Sequence, residues 1–143
     1  MFSNLRNYSI GVTGNSGFLG KHLCKKLESL GCTIKHCSHN VYDLTDKNLT
    51  KQWFIDCKPE IIFHLAAEVG GIGVNSKSPA SFFYNNLQMG INLIEMARIY
   101  KIKKFIQVGT VCSYPKFTEI PFKEENLWNG FPEETNSGYG IAK

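Results

Sequence analysis

Tyr139 and Lys143 stand four residues apart in a chain of 143. On a helix that spacing puts both on one face, one turn apart. An ammonium beside a phenol favours the phenolate, so the spacing predicts a tyrosine whose pKa is drawn down from about 10. Such a phenol serves as a general acid near neutral pH. Thr110, at the expected end of a strand, brings a second hydroxyl able to polarise the same carbonyl. Thr, Tyr and Lys around a nicotinamide make a site for moving hydride between a cofactor and a carbonyl or alcohol.

A phosphate cradle is readable earlier in the chain. Gly14, Asn15, Ser16, Gly17, Phe18, Leu19 and Gly20 follow a strand-like run and lead into a helix-like one. Glycines let the backbone turn tightly and let a pyrophosphate approach main-chain N–H groups, and a helix N-terminus adds free donors and a positive dipole end. The Gly-x-x-Gly-x-x-Gly spacing is a relative of the dinucleotide fingerprint. Beyond the second strand, dinucleotide-binding folds often place an acidic residue for the ribose of NAD. Here Lys35, Ser38 and His39 stand in that region without a carboxylate, which favours NADP over NAD as the cofactor. Asp43, followed by Leu44, suits either an adenine contact or an ordinary turn.

These groups need a scaffold, and the chain alternates short apolar runs with helical ones. That alternation predicts an α/β fold, a Rossmann-like doubly wound parallel sheet. Strands are expected at 8–13, 33–37, 60–65 and 104–108. Helices are expected at 17–30, where Leu19, Leu23, Leu27 and Leu30 mark a buried face, at 47–55 behind an Asp46 N-cap, and at 79–100. Leu65, Ala66 and Ala67 fall at the carboxyl end of the third strand, where open α/β sheets bind ligands. His64, inside that apolar run, reads as a packed residue rather than a catalytic one. A glycine-rich loop follows at 69–73, and a long loop at 111–137 has the length of a functional one. The 79–100 helix is apolar nearly all round, which predicts burial on more than one side and a homodimer.

Composition excludes several classes. Hydrophobic residues make up 43% and the net charge is +4, which suits a packed domain and offers no nucleic-acid patch. No apolar run reaches the roughly 18 residues of a membrane span. Five cysteines, odd in number and without a Cys-x-x-Cys pair, argue against zinc and against a disulfide framework, and no metal site is expected. Reduced thiols fit a cytoplasmic location.

Four segments resemble the extended short-chain dehydrogenase/reductases, and within them the GDP-L-fucose synthase group. The 11–20 segment resembles the cofactor loop. His64-Leu65-Ala66-Ala67-Glu68-Val69-Gly70-Gly71-Ile72 resembles the group's HLAAxVGGI segment, and Cys112-Ser113-Tyr114-Pro115-Lys116 its CxYPK segment. Thr135-Asn136 with Tyr139-Gly140-Ile141-Ala142-Lys143 resembles TNxxYAxAK.

The resemblance implies NADPH-dependent epimerisation and C4 reduction of a GDP-4-keto-6-deoxy-sugar. Tyr139 would donate the proton, Lys143 would bind ribose and tune Tyr139, and Thr110 would stand where the family usually has serine. Cys112 would match the epimerase cysteine, which moves protons on the carbons that the ketone acidifies. It also implies an amino-terminal part: a cofactor domain over 1–143, with further sheet strands and a sugar-binding domain beyond it. Reduction of a related keto sugar such as a heptose, without epimerisation, remains an alternative. So does a non-catalytic dinucleotide-binding module. A 4,6-dehydratase is disfavoured, because Val111-Cys112 stand where that branch has Asp-Glu.

Overall fold

In the computed structural model, which describes residues 4–143, strands and helices alternate as the sequence predicts. The strands are β1 (Ser9–Thr13), β2 (Thr33–Cys37), β3 (Ile61–His64) and β4 (Lys104–Gln107). The helices are α1 (Phe18–Ser29), α2 (Lys47–Cys57), α3 (Ile72–Lys77), α4 (Pro79–Ile99) and α5 (Ser137–Ala142). The strands form one parallel sheet in the order β2-β1-β3-β4. The chain falls into two compact units: residues up to Ala67 with Ile91–Val108, and Glu68–Gly90 with Gly109–Lys143. Among the described residues, no helix is long and apolar enough to cross a membrane.

The first unit holds the sheet. Successive strand residues point to opposite faces, and β1 shows which helix takes which face. Ile10 and Val12 pack with Cys24 and Leu27 of α1. Gly11 points the other way, where an added Cβ would lie 2.8 Å from the Trp53 ring of α2. The two helices therefore cover opposite faces, which is the doubly wound arrangement. Trp53 and Phe54 are wholly buried, and their rings meet edge to face at 5.2 Å. Burial of side chains this large contributes about 1.5–3 kcal/mol each.

The face of α1 differs from the leucine stripe. Gly20, Cys24 and Leu27 are buried, whereas Leu19 and Leu30 are exposed. Gly20 makes the difference, because it lets α1 press close to the preceding turn; a Cβ there would sit 2.7 Å from the Asn15 Cα. Asp46 caps α2 as expected, its Oδ1 accepting from the N–H groups of Asn48 (2.6 Å) and Leu49 (3.0 Å). Asn92 of α4, which is buried, donates to the carbonyls of Leu44 (2.9 Å) and Thr45 (3.1 Å) and so fixes the turn after β2.

The second unit is mostly irregular, and buried amides organise it. The residues after Glu68 are not one loop, because α3 starts at Ile72 with Gly71 as its N-cap. Asn86 of α4 brackets Glu68, donating to its carbonyl and accepting from its N–H, both at 2.9 Å. Asn75 of α3 donates to the Gly70 carbonyl (2.9 Å) and to Asn136 Oδ1 (3.2 Å). The long loop is pinned by an isolated bridge between Pro115 and Pro132, by stacking of Tyr114 on Phe122, and by short 3-10 turns at Val111–Ser113 and Glu124–Trp128.

Candidate functional site

The glycine turn lies at the carboxyl end of β1, as expected of a phosphate cradle. Gly14 has φ +68, and an added Cβ would lie 2.6 Å from the Ala66 nitrogen and 2.8 Å from the Leu65 carbonyl carbon. The turn therefore needs a residue with no side chain, both for its backbone and for its closeness to the end of β3. Thr13 ties the same two strand ends together, since its buried hydroxyl accepts from the Ala66 N–H (3.2 Å) and meets His64 Nδ1 at 2.8 Å. His64 is 1% exposed, a packed residue as the sequence predicts.

Gly17 begins α1 with no side-chain cap on its first turn. The first-turn N–H groups of a helix have no intrahelical acceptors, and a glycine N-cap offers no side chain to fill that role. Phe18 and Leu19 are exposed at this end. A bare helix N-terminus beside a turn with glycine at both ends, Gly14 and Gly17, fits a pyrophosphate.

At the end of β2, Ser38 and His39 are exposed. Lys35 is not with them; it lines a cleft with Ser9, Thr33 and Cys57. Sequence grouping failed here because Lys35 lies inside β2, whereas Ser38 and His39 follow its carboxyl end. Asp43 takes the turn role: Oδ1 accepts from the N–H (2.9 Å) and the hydroxyl (2.7 Å) of Thr45. Those bonds hold its carboxyl below the usual range, and the charge of His39 helps. Leu44 is buried in the core.

The second unit gathers the catalytic candidates. Thr110, just beyond β4, accepts from the Cys112 N–H at 3.2 Å. α5 is docked on this turn: a Cβ on Gly140 would lie 2.2 Å from the Cys112 carbonyl oxygen, and Ser113 donates to the Gly140 carbonyl at 2.6 Å. Docking brings the half-buried Tyr139 phenol into a hydrogen bond with the Thr110 hydroxyl and within electrostatic reach of Cys112. Thr110, Cys112 and Tyr139 thus form one cluster. Lys143 caps α5 at its carboxyl end.

The electrostatics correct one expectation. Burial and then Cys112 push the Tyr139 phenol above its usual value, and the Thr110 hydrogen bond pulls it down less strongly. Burial pushes the Lys143 ammonium down. Burial therefore keeps the phenol neutral, a state in which it holds a proton to give.

Sequence reasoning passed over the amide ties. Asn75 and Asn86 are both almost fully buried, and Asn75 links the segment after β3 to Asn136, three residues before Tyr139. The available signal was polar amides recurring within apolar helical runs.

The sequence pattern of the NAD dependent epimerase/dehydratase family matches residues 10–143. The chain is 37% identical over 139 residues to a putative GDP-L-fucose synthase 2 of Arabidopsis thaliana, covering 96% of this chain and 42% of that protein. Its structure is similar to that of an NADP-bound GDP-mannoheptose C4 reductase from Campylobacter jejuni, with TM-score 0.90 and 28% identity over 95% of this chain and 43% of the other. It is also similar to an NADP-bound GDP-L-fucose synthetase from Naegleria fowleri, with TM-score 0.86 and 31% identity over 96% and 42% of the two chains. The chain spans about two fifths of the length of these relatives.

Proposed function

Because the chain belongs to the NAD dependent epimerase/dehydratase family, we propose that it works as an NADPH-dependent epimerase/reductase of a GDP-4-keto-6-deoxy-sugar, of the GDP-L-fucose synthase type. The observation that carries this reading is the docking of α5, which sets Tyr139 against Thr110 and Cys112. The names of the relatives support the GDP-sugar substrate and the cofactor.

In this proposal Gly14, Asn15, Ser16, Gly17, Phe18, Leu19 and Gly20 hold the cofactor pyrophosphate, with Leu65, Ala66 and Ala67 at their side. Ser38 and His39 face the 2′-phosphate, Asp43 and Leu44 shape the turn at the adenine end, and Lys143 holds the nicotinamide ribose. NADPH, when bound, supplies the hydride for C4 of the sugar. Thr110 polarises the C4 carbonyl. Tyr139, kept protonated by burial, gives its proton to the C4 oxygen as the carbonyl becomes an alcohol. Cys112 takes a proton from a carbon beside the ketone to leave an enolate, and a solvent-derived proton delivered to the opposite face inverts that centre.

The test is NADPH oxidation with a GDP-4-keto-6-deoxy-sugar. Tyr139→Phe should lower the rate about 100-fold or more, the scale of general acid catalysis. An unchanged rate would sink the assignment. The likeness to a heptose C4 reductase favours a second reading, reduction without epimerisation. In heavy water, the first reading predicts deuterium on the carbons flanking C4, lost in Cys112→Ser. Reduction with no deuterium at those carbons selects the second.

Two further assignments belong to this reading. The exposed apolar side of α4, with Phe83, Ile91 and Ile94, supports a homodimer; a monomer mass in sedimentation at working concentration would refute it. Five free cysteines support a cytoplasmic, reducing location; a secreted, disulfide-bonded form recovered from cells would count against it.

A further inference from the structure

The first unit carries a cleft at the end of the sheet away from the cradle. Ser9 and Thr33 open β1 and β2, whereas the glycine turn follows Thr13, about 15 Å away along a five-residue strand. The cleft is a shallow, solvent-open depression of about 470 Å³, lined by Arg6, Tyr8, Ser9, Thr33, Lys35 and Lys58 among others.

Its charge is unbalanced. Arg6, Lys35 and Lys58 line it with one carboxylate, Asp56. Asp56 already accepts from the Tyr42 hydroxyl (3.0 Å) and from Gln52 Nε2 (2.8 Å). Ion pairs among the described residues join Arg98 to Glu95, Lys103 to Glu60 and Lys116 to Glu134, and none takes Lys35 or Lys58.

One of the cations is held by a side-chain bond to the backbone, and a second is placed by its position at a helix end. Arg6 Nε donates to the Leu30 carbonyl. Lys58 is the C-cap of α2 at φ 45, and its N–H returns to the Phe54 carbonyl at 3.0 Å. Left-handed backbone at that position usually selects glycine or asparagine; Lys101 adopts it as well, at φ 54. Cations near the end of α2 also answer its dipole, but Lys35 stands on β2 and is joined to no carboxylate among the described residues.

We infer that this cleft binds a phosphate group, free or carried on a small metabolite, with Arg6, Lys35 and Lys58 as its cationic partners. The site is separate from the cradle and stands whether or not the cofactor reading does.

The experiment is a backbone-amide NMR titration of the full chain in phosphate-free buffer. Inorganic phosphate is the first probe and guanosine monophosphate the second. Saturable shifts are expected at the amides of Ser9, Thr33 and Lys58. Lys35→Gln and Lys58→Gly should each weaken binding about fivefold, the scale of one partly exposed charge contact. Glycine suits the φ of residue 58, so lost binding in that variant does not report unfolding. Tighter binding of the monophosphate assigns a metabolite, and equal binding assigns free phosphate. Shifts confined to the glycine turn, no saturable shifts, or affinities unmoved by both substitutions would overturn the inference.

Discussion

Replacing Gly14 by alanine should unfold the first unit more readily and remove cofactor binding with it. Two costs add. The backbone at φ +68 is left-handed, which disfavours an L side chain by about 1–2 kcal/mol. The new methyl would also meet the Ala66 nitrogen, the Leu65 carbonyl carbon and the Ala66 Cα at 2.6, 2.8 and 2.9 Å, where ordinary contact begins at 3.4 Å. All three are backbone atoms, so no rotamer change relieves the clash. Overpacking of this kind costs about 1–3 kcal/mol, giving roughly 2–5 kcal/mol together. Total stabilities run to about 5–15 kcal/mol. With an m-value of about 2 kcal/mol per molar urea, the midpoint should fall by roughly 1–2.5 M. Gly73→Ala is the control: it lies in α3 with nothing within 4 Å of its added Cβ, and should hold or raise stability by about 0.5–1 kcal/mol. A Gly14→Ala midpoint indistinguishable from the parent would refute the reasoning, and so would an equal loss in Gly73→Ala.

Two smaller predictions follow from titrating groups. Burial, aided by Cys57, pushes the Cys37 thiol up to about 12; at pH 8 it should therefore resist alkylation in the native chain and react only in urea, by peptide mass mapping, whereas early modification would contradict its burial. Asp43 is held below its ordinary value of 3.8 by its bonds from Thr45. A depressed carboxylate pKa gives stability that is present above 3.8 and fades as pH falls through the lowered value. Asp43→Asn should then be less stable than the parent at pH 6, with the gap closing in acid; a gap that stays constant to low pH would show that charge is not the cause.

Much of the scaffold was legible because it rests on local chemistry. The alternation of apolar runs and helical runs gave all four strands, and Asp46 gave the start of α2. What was not legible depends on pairs distant in sequence. The buried face of α1 follows from Gly20 pressing on Asn15, which the leucine spacing does not show. α3 was hidden because glycines at 70, 71 and 73 resemble a loop, although Gly71 serves as an N-cap. The Tyr-x-x-x-Lys spacing singled out Tyr139 and Lys143, yet the direction of the phenol shift depends on burial and on Cys112, 27 residues earlier. Lys35 lines the other cleft because it lies inside β2, paired with Gly11, and so shares the sheet face that α2 covers.

The most direct test of the central claim is a fluorescence titration of the chain with NADPH and, separately, with NADH. A glycine turn open to a pyrophosphate, with Ser38 and His39 in place of a ribose-binding carboxylate, predicts saturable binding that is tighter for NADPH. Tighter binding of NADH would contradict the cofactor assignment, and binding of neither would contradict the cradle itself.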